Sequence, residues 1–119
     1  MISGADRKLN ALLASLEMWC GKAEAIASGS GFDEFERDEI RHLAVSKAVE
    51  QVGELAGRLL SKWPDFVRDN PEMRLADAYA MRNRLVHGYD QVDLGILYKT
   101  ACTAIPELRR SVIAVLGDP

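Results

Sequence analysis

Residues 45–60, VSKAVEQVGELAGRLL, decide the fold because their apolar side chains recur at steps of three and four residues. This spacing forms one stripe along an α-helix, whereas a strand would show alternation. Asp33 and Glu36 upstream have the spacing of a capping box, so we expect one long helix from Asp33 to just before Pro64. The stripe consists of Val45, Ala48, Val49, Val52, Leu55, Ala56 and Leu59.

The same periodicity continues on both sides of this segment. A first helix is predicted over the stripe at residues 9–26, with Ser3 and Asp6 at its start and the run at residues 28–31, SGSG, at its end. Its apolar positions are Leu9, Leu12, Leu13, Leu16, Trp19, Ala23 and Ile26.

Two more helices are predicted downstream. Asn70 can cap a third helix with Pro71 at its first position, and Gly88 suits a left-handed stop. Asp93 can cap a fourth helix, which Pro106 should kink. The third stripe is Leu75, Ala78, Tyr79 and Val86, and the fourth is Leu94, Leu97, Tyr98, Ala101, Ile105, Leu108, Val112 and Val115. We therefore predict one all-α domain over residues 1–119, an up-and-down four-helix bundle with a kinked last helix.

The composition limits the class of protein. The 119 residues are 48% hydrophobic with a formal net charge of −3, which supports a folded core and argues against a protein that coats nucleic acid electrostatically. Cys20 and Cys102 show no CxxC spacing, so we expect buried thiols and neither a metal site nor a disulfide framework. Neither an apolar signal core nor a membrane-length apolar run is present, so we expect a cytoplasmic protein with no membrane association.

Arg82 is out of place because it falls on the apolar stripe of the third helix. A guanidinium at such a position either reaches the surface, pairs with a buried carboxylate, or forms a preformed anion site. Glu50 and Glu54 lie one turn apart on the second helix, either on a solvated face or on a dimer face, and one of them could pair with Arg82 or Arg84. Gly53 between them would let another helix approach closely.

His87 follows Asn83 by four residues, so the amide and the imidazole can share one face of the helix. An arginine can hold a phosphodiester and stabilise developing charge while a histidine moves a proton. This pattern alone is a weak indication of a phosphodiester-cleaving site, since a histidine near a helix end is often a cap.

Residues 81–89, MRNRLVHGY, resemble the HEPN superfamily, whose ribonuclease members carry an Arg-polar-x-x-x-His signature. The segment is most similar to the HepT-like toxins of the HepT/MNT toxin–antitoxin type, in which the signature extends to Arg-x4-His-x-Tyr. Arg82, Asn83, His87 and Tyr89 match that extended pattern. Residues 53–56, GELA, are similar to a Gly-Glu-Ala stretch of the same family, and the helix order agrees over nearly the whole chain.

The resemblance implies a metal-independent endoribonuclease, without a cofactor, that acts on RNA as a homodimer with both motifs in a cleft between subunits. Cleavage by the 2′-hydroxyl of RNA requires a base and an acid, and a twofold axis would supply the second histidine. His87 is then the proton-transfer residue, Arg82 the phosphate clamp and Asn83 the orienting group.

Tyr89 has two interpretations. From the residue alone, we interpret it as a half-buried tyrosine that anchors the loop. The resemblance implies instead that an MNT-type nucleotidyltransferase antitoxin transfers AMP to its hydroxyl, as in a type VII-like toxin–antitoxin pair, and places negative charge beside the site.

Other polar residues, and the function itself, have more than one interpretation. His42 is interpreted as a surface histidine, and Arg84 as either an RNA contact or a solvated side chain. Lys99, Arg109 and Arg110 are candidate backbone contacts. The alternative function is a non-catalytic HEPN bundle that helps a partner nucleotidyltransferase to hold its nucleotide or substrate.

Overall fold

A computed structural model of the chain describes residues 4–117 and the side chains of residues 7–117. Within this part no strand occurs, so the prediction of an all-α fold is confirmed. Seven α-helices follow one another: α1 (Gly4–Ser28), α2 (Phe32–Arg37), α3 (Glu39–Lys62), α4 (Pro64–Asp69), α5 (Leu75–His87), α6 (Leu94–Lys99) and α7 (Ile105–Leu116). Of the cap predicted for α1, Ser3 and the Asp6 side chain lie outside what the structure describes.

The central element is α3, which packs against α1 on one side and α5 on another, while α7 packs against α1. The molecule measures 50 × 30 × 20 Å along its principal axes. Its core contains the stripe that the sequence predicts for α3, joined by side chains from α1, α5 and the last helical stretch. Its largest fully buried side chains are Phe35, Leu13, Leu16, Leu59, Met73, Leu97, Val45, Val49, Val52, Val112 and Cys20. No helix within residues 4–117 is both long enough and apolar enough to span a membrane.

The single long helix predicted from Asp33 is wrong, because two helices meet at Asp38. The Asp38 side chain accepts a hydrogen bond from the backbone N–H of Arg41 at 3.0 Å and so caps α3. Its own backbone is extended, which ends α2 at Arg37. Asp33 lies inside α2, whose N-cap is Gly31. As predicted, α1 ends at Ser28, and α3 ends before Pro64, which itself begins the short helix α4.

The start predicted for the third helix is also wrong. Residues Pro71–Met73 form a single 3₁₀ turn, and α5 begins at Leu75 after Arg74, which has a left-handed backbone with φ 49°. The Asn70 side chain donates to the carbonyl of Phe66 at 2.9 Å and lies five residues before the start of α5, so it does not cap that helix. Gly88 ends α5 as expected but with φ −167°, which is extended and not left-handed.

The last helical stretch begins as predicted, since the Asp93 side chain accepts from the backbone N–H of Ile96 at 3.1 Å. Between α6 and α7, residues Thr100–Ala104 form a π-helical segment directly before Pro106. A proline cannot donate to the carbonyl four residues earlier, and its ring crowds that carbonyl. The expected kink at Pro106 therefore takes the form of a wider turn just upstream.

Three predicted core positions are exposed: Tyr79, Val86 and Val115. The apolar face of α5 lies instead on Leu75, Met81 and Leu85, which are buried. This correction places Arg82 at the edge of the core, with a quarter of its side chain exposed.

One of the two cysteines differs from expectation, and Arg109 of α7 makes an ion pair that the sequence did not predict. Cys20 is buried, and burial raises the pKa of its thiol to about 12, but Cys102 is only partly buried. Arg109 is a structural residue, because its guanidinium pairs with Glu17 of α1 at 2.9 Å. Its side chain stays 39% exposed, and its contact with the RNA backbone stays a prediction.

Candidate active site

The candidate site begins with the close approach of α5 to α3 at Gly53. A Cβ at this position would clash with the Cβ of Arg82 and would lie 2.6 Å from the backbone carbonyl oxygen of Ala78. One turn later, a Cβ at Gly57 would lie 2.6 Å from the ring of Tyr79. Only glycine fits where the backbone of α5 is this near. Gly53 therefore determines how closely Arg82 can approach α3.

The Arg82 guanidinium is held by two neighbours. Its Nη2 lies 3.2 Å from a carboxylate oxygen of Glu54, and its Nη1 donates to the side-chain oxygen of Asn83 at 2.9 Å. The predicted pairing of Arg82 with a glutamate of α3 is therefore present. Its Nε is buried and has no hydrogen-bond partner among the described residues, which leaves one donor unsatisfied in the isolated subunit.

The amide of Asn83 belongs to this cluster, whereas the carboxylate of Glu50 does not. Because the oxygen of the Asn83 amide accepts from Arg82, the NH₂ group of that amide remains to donate elsewhere. Glu50 is half-buried one turn before Glu54, but its carboxylate lies 3.9 Å from the ammonium of Lys47, and no hydrogen bond or ion pair joins it to Arg82 within residues 7–117.

His87 is the last residue of α5, and its side chain is exposed. It borders a surface cavity of about 400 Å³ together with Arg84, and the floor is largely apolar. The residues that line this cavity are Met81, Arg84, His87, Gly88, Gln91, Val92, Asp93 and Ile96. Arg84 is exposed and adds positive charge beside the imidazole.

Tyr89 is half-buried, and its hydroxyl lies 2.7 Å from Nδ1 of His42 on α3. The prediction that His42 is a partnerless surface histidine is therefore wrong. The planes of the two rings are 26° apart with 6.3 Å between their centroids, and the Phe35 ring lies 6.0 Å from the His42 ring. Burial, and secondly the charge of Glu39, raise the pKa of the Tyr89 phenol.

The structure brings together some of the predicted site residues and separates others. Arg82, Asn83 and Glu54 form one cluster, His87 and Arg84 share the cavity, and Tyr89 contacts His42. Five residues of α-helix turn through about 140° beyond a full turn, so Arg82 and His87 leave α5 in different directions. Within residues 7–117, the two side chains do not line one common cavity.

An exposed apolar surface adjoins the Arg82 cluster. On α3, Ile40 is 83% exposed and Leu43 is 45% exposed, and the same helical row continues to Glu54. On α5, Tyr79 is 38% exposed and Val86 is 43% exposed, and Arg82 lies between them in sequence and on the same side of the helix. Because Glu54 contacts Arg82, these two rows are neighbours. We call the surface formed by Ile40, Leu43, Tyr79 and Val86 the α3–α5 face.

Among the residues that the structure describes, no group of three or more His, Cys, Asp or Glu side chains is arranged to hold a metal ion.

Comparison with known proteins gives a consistent set of relatives. The family model described as "Ribonuclease HepT-like" matches residues 16–115. A protein of Thermococcus cleftensis named "Probable ribonuclease HepT" is 35% identical over 78 residues, which cover 66% of this chain and 68% of the relative. A Methanocaldococcus jannaschii protein named a "Putative RNase" is 29% identical over 66% of each chain. Another so named, from Caldanaerobacter subterraneus, is 28% identical over 74% of this chain and 76% of its own length. No solved structure matches the chain.

Proposed function

The chain belongs to the Ribonuclease HepT-like family, and from this premise we propose that it is a metal-independent endoribonuclease that cleaves RNA at an Arg-x4-His site. The observation that carries the proposal is the Arg82 cluster. An arginine at the edge of the core is fixed by Glu54 and Asn83, and a glycine in the facing helix leaves it the necessary space. The names of the relatives support the same reaction class.

The proposed chemistry needs a phosphate clamp and groups that move protons. The guanidinium of Arg82 holds the scissile phosphate and stabilises the negative charge that develops when the 2′-oxygen attacks phosphorus. His87 transfers a proton, either from the 2′-hydroxyl or to the leaving 5′-oxygen. The free NH₂ of Asn83, four residues before His87 on α5, can orient the imidazole or the phosphate.

In this proposal the active protein is a homodimer of the four-helix bundle. One subunit directs Arg82 and His87 away from each other, so a second copy is needed to bring a histidine opposite the clamp. The exposed α3–α5 face supports this arrangement, because Tyr79 and Val86 flank Arg82 on α5, and Ile40 and Leu43 extend the exposed apolar surface along α3. A twofold axis there would build two equivalent sites.

The proposal extends to regulation. Growth inhibition by an uncontrolled ribonuclease requires an antitoxin, and we propose that an MNT-type nucleotidyltransferase transfers AMP to Tyr89, as in a type VII-like pair. The added phosphate would lie two residues from His87 and would compete with RNA for the basic side chains. RNA and nucleotide donors are both cytoplasmic, and we expect the protein to act there.

Growth of cells that express single variants tests the proposal. Arg82→Ala and His87→Ala should each abolish growth inhibition at equal expression, because one removes the clamp and the other the proton-transfer group. Arg68→Ala is the matched control, since Arg68 lies on α4 and pairs only with the nearby acids Asp65 and Asp69 within the described residues. If either site variant stays as toxic as the control, the assigned site is wrong. Folded, dimeric and non-toxic wild-type protein would favour the alternative of a non-catalytic partner of a nucleotidyltransferase.

A further inference from the structure

The contact between His42 and Tyr89 joins residues that are 47 positions apart and that lie on α3 and in the turn after α5. The distance of 2.7 Å between Nδ1 and the hydroxyl oxygen is that of a good hydrogen bond. Phe35 packs beside the imidazole and the tyrosine ring stacks on it, so both groups are fixed in direction.

The direction of this hydrogen bond determines what Tyr89 can do. A phenol has one proton, and a neutral imidazole has one nitrogen that accepts. When the Tyr89 hydroxyl donates to Nδ1 of His42, its proton points toward α3 and the lone pairs of its oxygen remain free. A tyrosine in this orientation offers an electron pair and not a proton.

We propose that His42 takes the proton of Tyr89 while the phenolic oxygen attacks an activated phosphorus, so that Tyr89 and His42 form a nucleophile and its base. The donor is a nucleoside triphosphate presented by a transferase. A bond forms between the Tyr89 oxygen and the α-phosphorus, and the bond from that phosphorus to the β-phosphate oxygen breaks. The O–H proton passes to Nδ1 of His42, and pyrophosphate leaves with the electron pair.

The surroundings explain why a base is needed at this position. Burial and the nearby carboxylate of Glu39 raise the pKa of Tyr89, so the phenol stays protonated near neutral pH. Glu39 lies three residues before His42 on α3, on the same side of that helix. Its negative charge opposes a free phenolate.

The other two tyrosines provide internal comparisons. The Tyr98 hydroxyl donates to the backbone carbonyl of Ser30 at 2.8 Å, and a carbonyl oxygen cannot remove its proton. Tyr79 is more exposed than Tyr89. Tyr79 belongs to the α3–α5 face, which a second copy would cover, so the comparison with Tyr98 carries the test.

This inference rests on the proposed modification of Tyr89, but its test needs neither a transferase nor RNA. The purified full chain is treated with N-acetylimidazole, which acetylates phenols, and peptide mass spectrometry gives the rate at each tyrosine. In the wild type we expect Tyr89 to react much faster than Tyr98, which is also half-buried. This comparison within one molecule does not depend on the folding of any variant.

Two variants separate proton removal from positioning. His42→Asn keeps a hydrogen-bond acceptor at the same distance along the side chain but cannot take a proton, and His42→Ala removes both functions. We expect each to slow acetylation of Tyr89 by about 10²-fold, with the Tyr98 rate unchanged as a check that the fold is intact. A wild-type rate in His42→Asn would mean that His42 only positions the hydroxyl, and would overturn the inference.

A slow Tyr89 in the wild type would overturn it as well. The modification proposed under the function is measured separately, by the AMP mass gained when the chain is co-expressed with a nucleotidyltransferase. Absence of that mass with fast acetylation of Tyr89 would contradict the proposed function and leave the His42–Tyr89 inference standing.

Discussion

Arg82 illustrates how a single residue is prepared for function with little gain in stability. Its ion pair with Glu54 is partly exposed, with 25% and 39% of the two side chains accessible, and pairs of this kind stabilise a protein by about 0–1 kcal/mol. Its buried Nε–H has no partner within the described residues, which costs about 1–3 kcal/mol. The hydrogen bond to Asn83 offsets a cost of this size, so the arginine adds little net stability, and a role in binding an anion or a partner group is the better physical explanation.

Tyr89→Phe tests the role of the hydroxyl. The variant should keep its ribonuclease activity and growth inhibition, because the phenyl ring can fill the same space, but it should gain no AMP when co-expressed with a nucleotidyltransferase. Intact mass measures the modification, and cell growth measures toxicity. An AMP mass on the Phe variant would place the acceptor at another residue.

At this scale the sequence indicated that Glu50 or Glu54 could pair with Arg82 or Arg84, and the structure has the Arg82–Glu54 pair, but the contact of His42 was missed. The glutamates and Gly53 are close together on one helix, and their spacing shows which face they share. His42 contacts a residue 47 positions away, and the spacing of residues within one helix does not indicate a contact of this kind. The exposure of Tyr79 and Val86 was not predicted. The side of an apolar stripe that becomes buried depends on where the neighbouring helix packs, and the sequence does not give that position.

At the scale of elements, the packing of α5 on α3 controls the site. Gly53 faces the backbone of α5, where a carbonyl oxygen cannot move aside, whereas Gly57 faces the end of the exposed Tyr79 ring, which can. The same substitution should therefore have different effects at two glycines only one turn apart.

Gly53→Ala should destabilise the fold and displace Arg82. Alanine favours a helix over glycine by about 1 kcal/mol, but overpacking here should cost more than this gain and leave a net loss of about 1–3 kcal/mol. RNA cleavage should fall with it. Denaturant unfolding measures the stability, and the cleavage rate reports on Arg82.

Two other glycines serve as matched controls. Gly57→Ala should be near neutral, because the Tyr79 ring can rotate away. Gly31→Ala should cost less than Gly53→Ala, since nothing lies within 4 Å of a Cβ there and only the weaker N-cap preference of alanine opposes it. Equal losses at Gly53 and Gly31 would contradict the proposed close packing of α3 and α5.

Much of the element order follows from the sequence, with identifiable exceptions. The stripes predicted α1, α3, α5 and the final stretch, and the cap at Asp93 is confirmed. The break at Asp38 was not predicted, because two candidate capping aspartates lie five residues apart and local spacing does not rank them. The start of α5 was misplaced because Pro71 begins a short 3₁₀ turn, and α5 itself starts only after the left-handed Arg74.

At the scale of the whole molecule, the α3–α5 face is the main unexplained surface. Large apolar side chains are exposed there. They lie near the motif residues of α5, which do not converge on one site within a single subunit. An interface over this face would bury Ile40 and Val86 and would bring a second motif toward Arg82.

Ile40→Asp and Val86→Asp should each convert the dimer to a monomer and abolish cleavage, although every motif residue is intact. A charge buried in an interface is strongly unfavourable. Ile113→Asp is the matched control, because Ile113 is 40% exposed on α7, which packs on α1. Sedimentation measures the oligomeric state. Active monomers would show that the site is complete in one chain.

The most direct test of the central claim is RNA cleavage by the isolated protein in EDTA, with wild type and His87→Ala side by side and intact mass recorded on the same samples. Wild-type protein of unmodified mass should cleave RNA without metal, and His87→Ala should not. Failure of unmodified wild-type protein to cleave several classes of RNA, or equal cleavage by His87→Ala, would contradict the account.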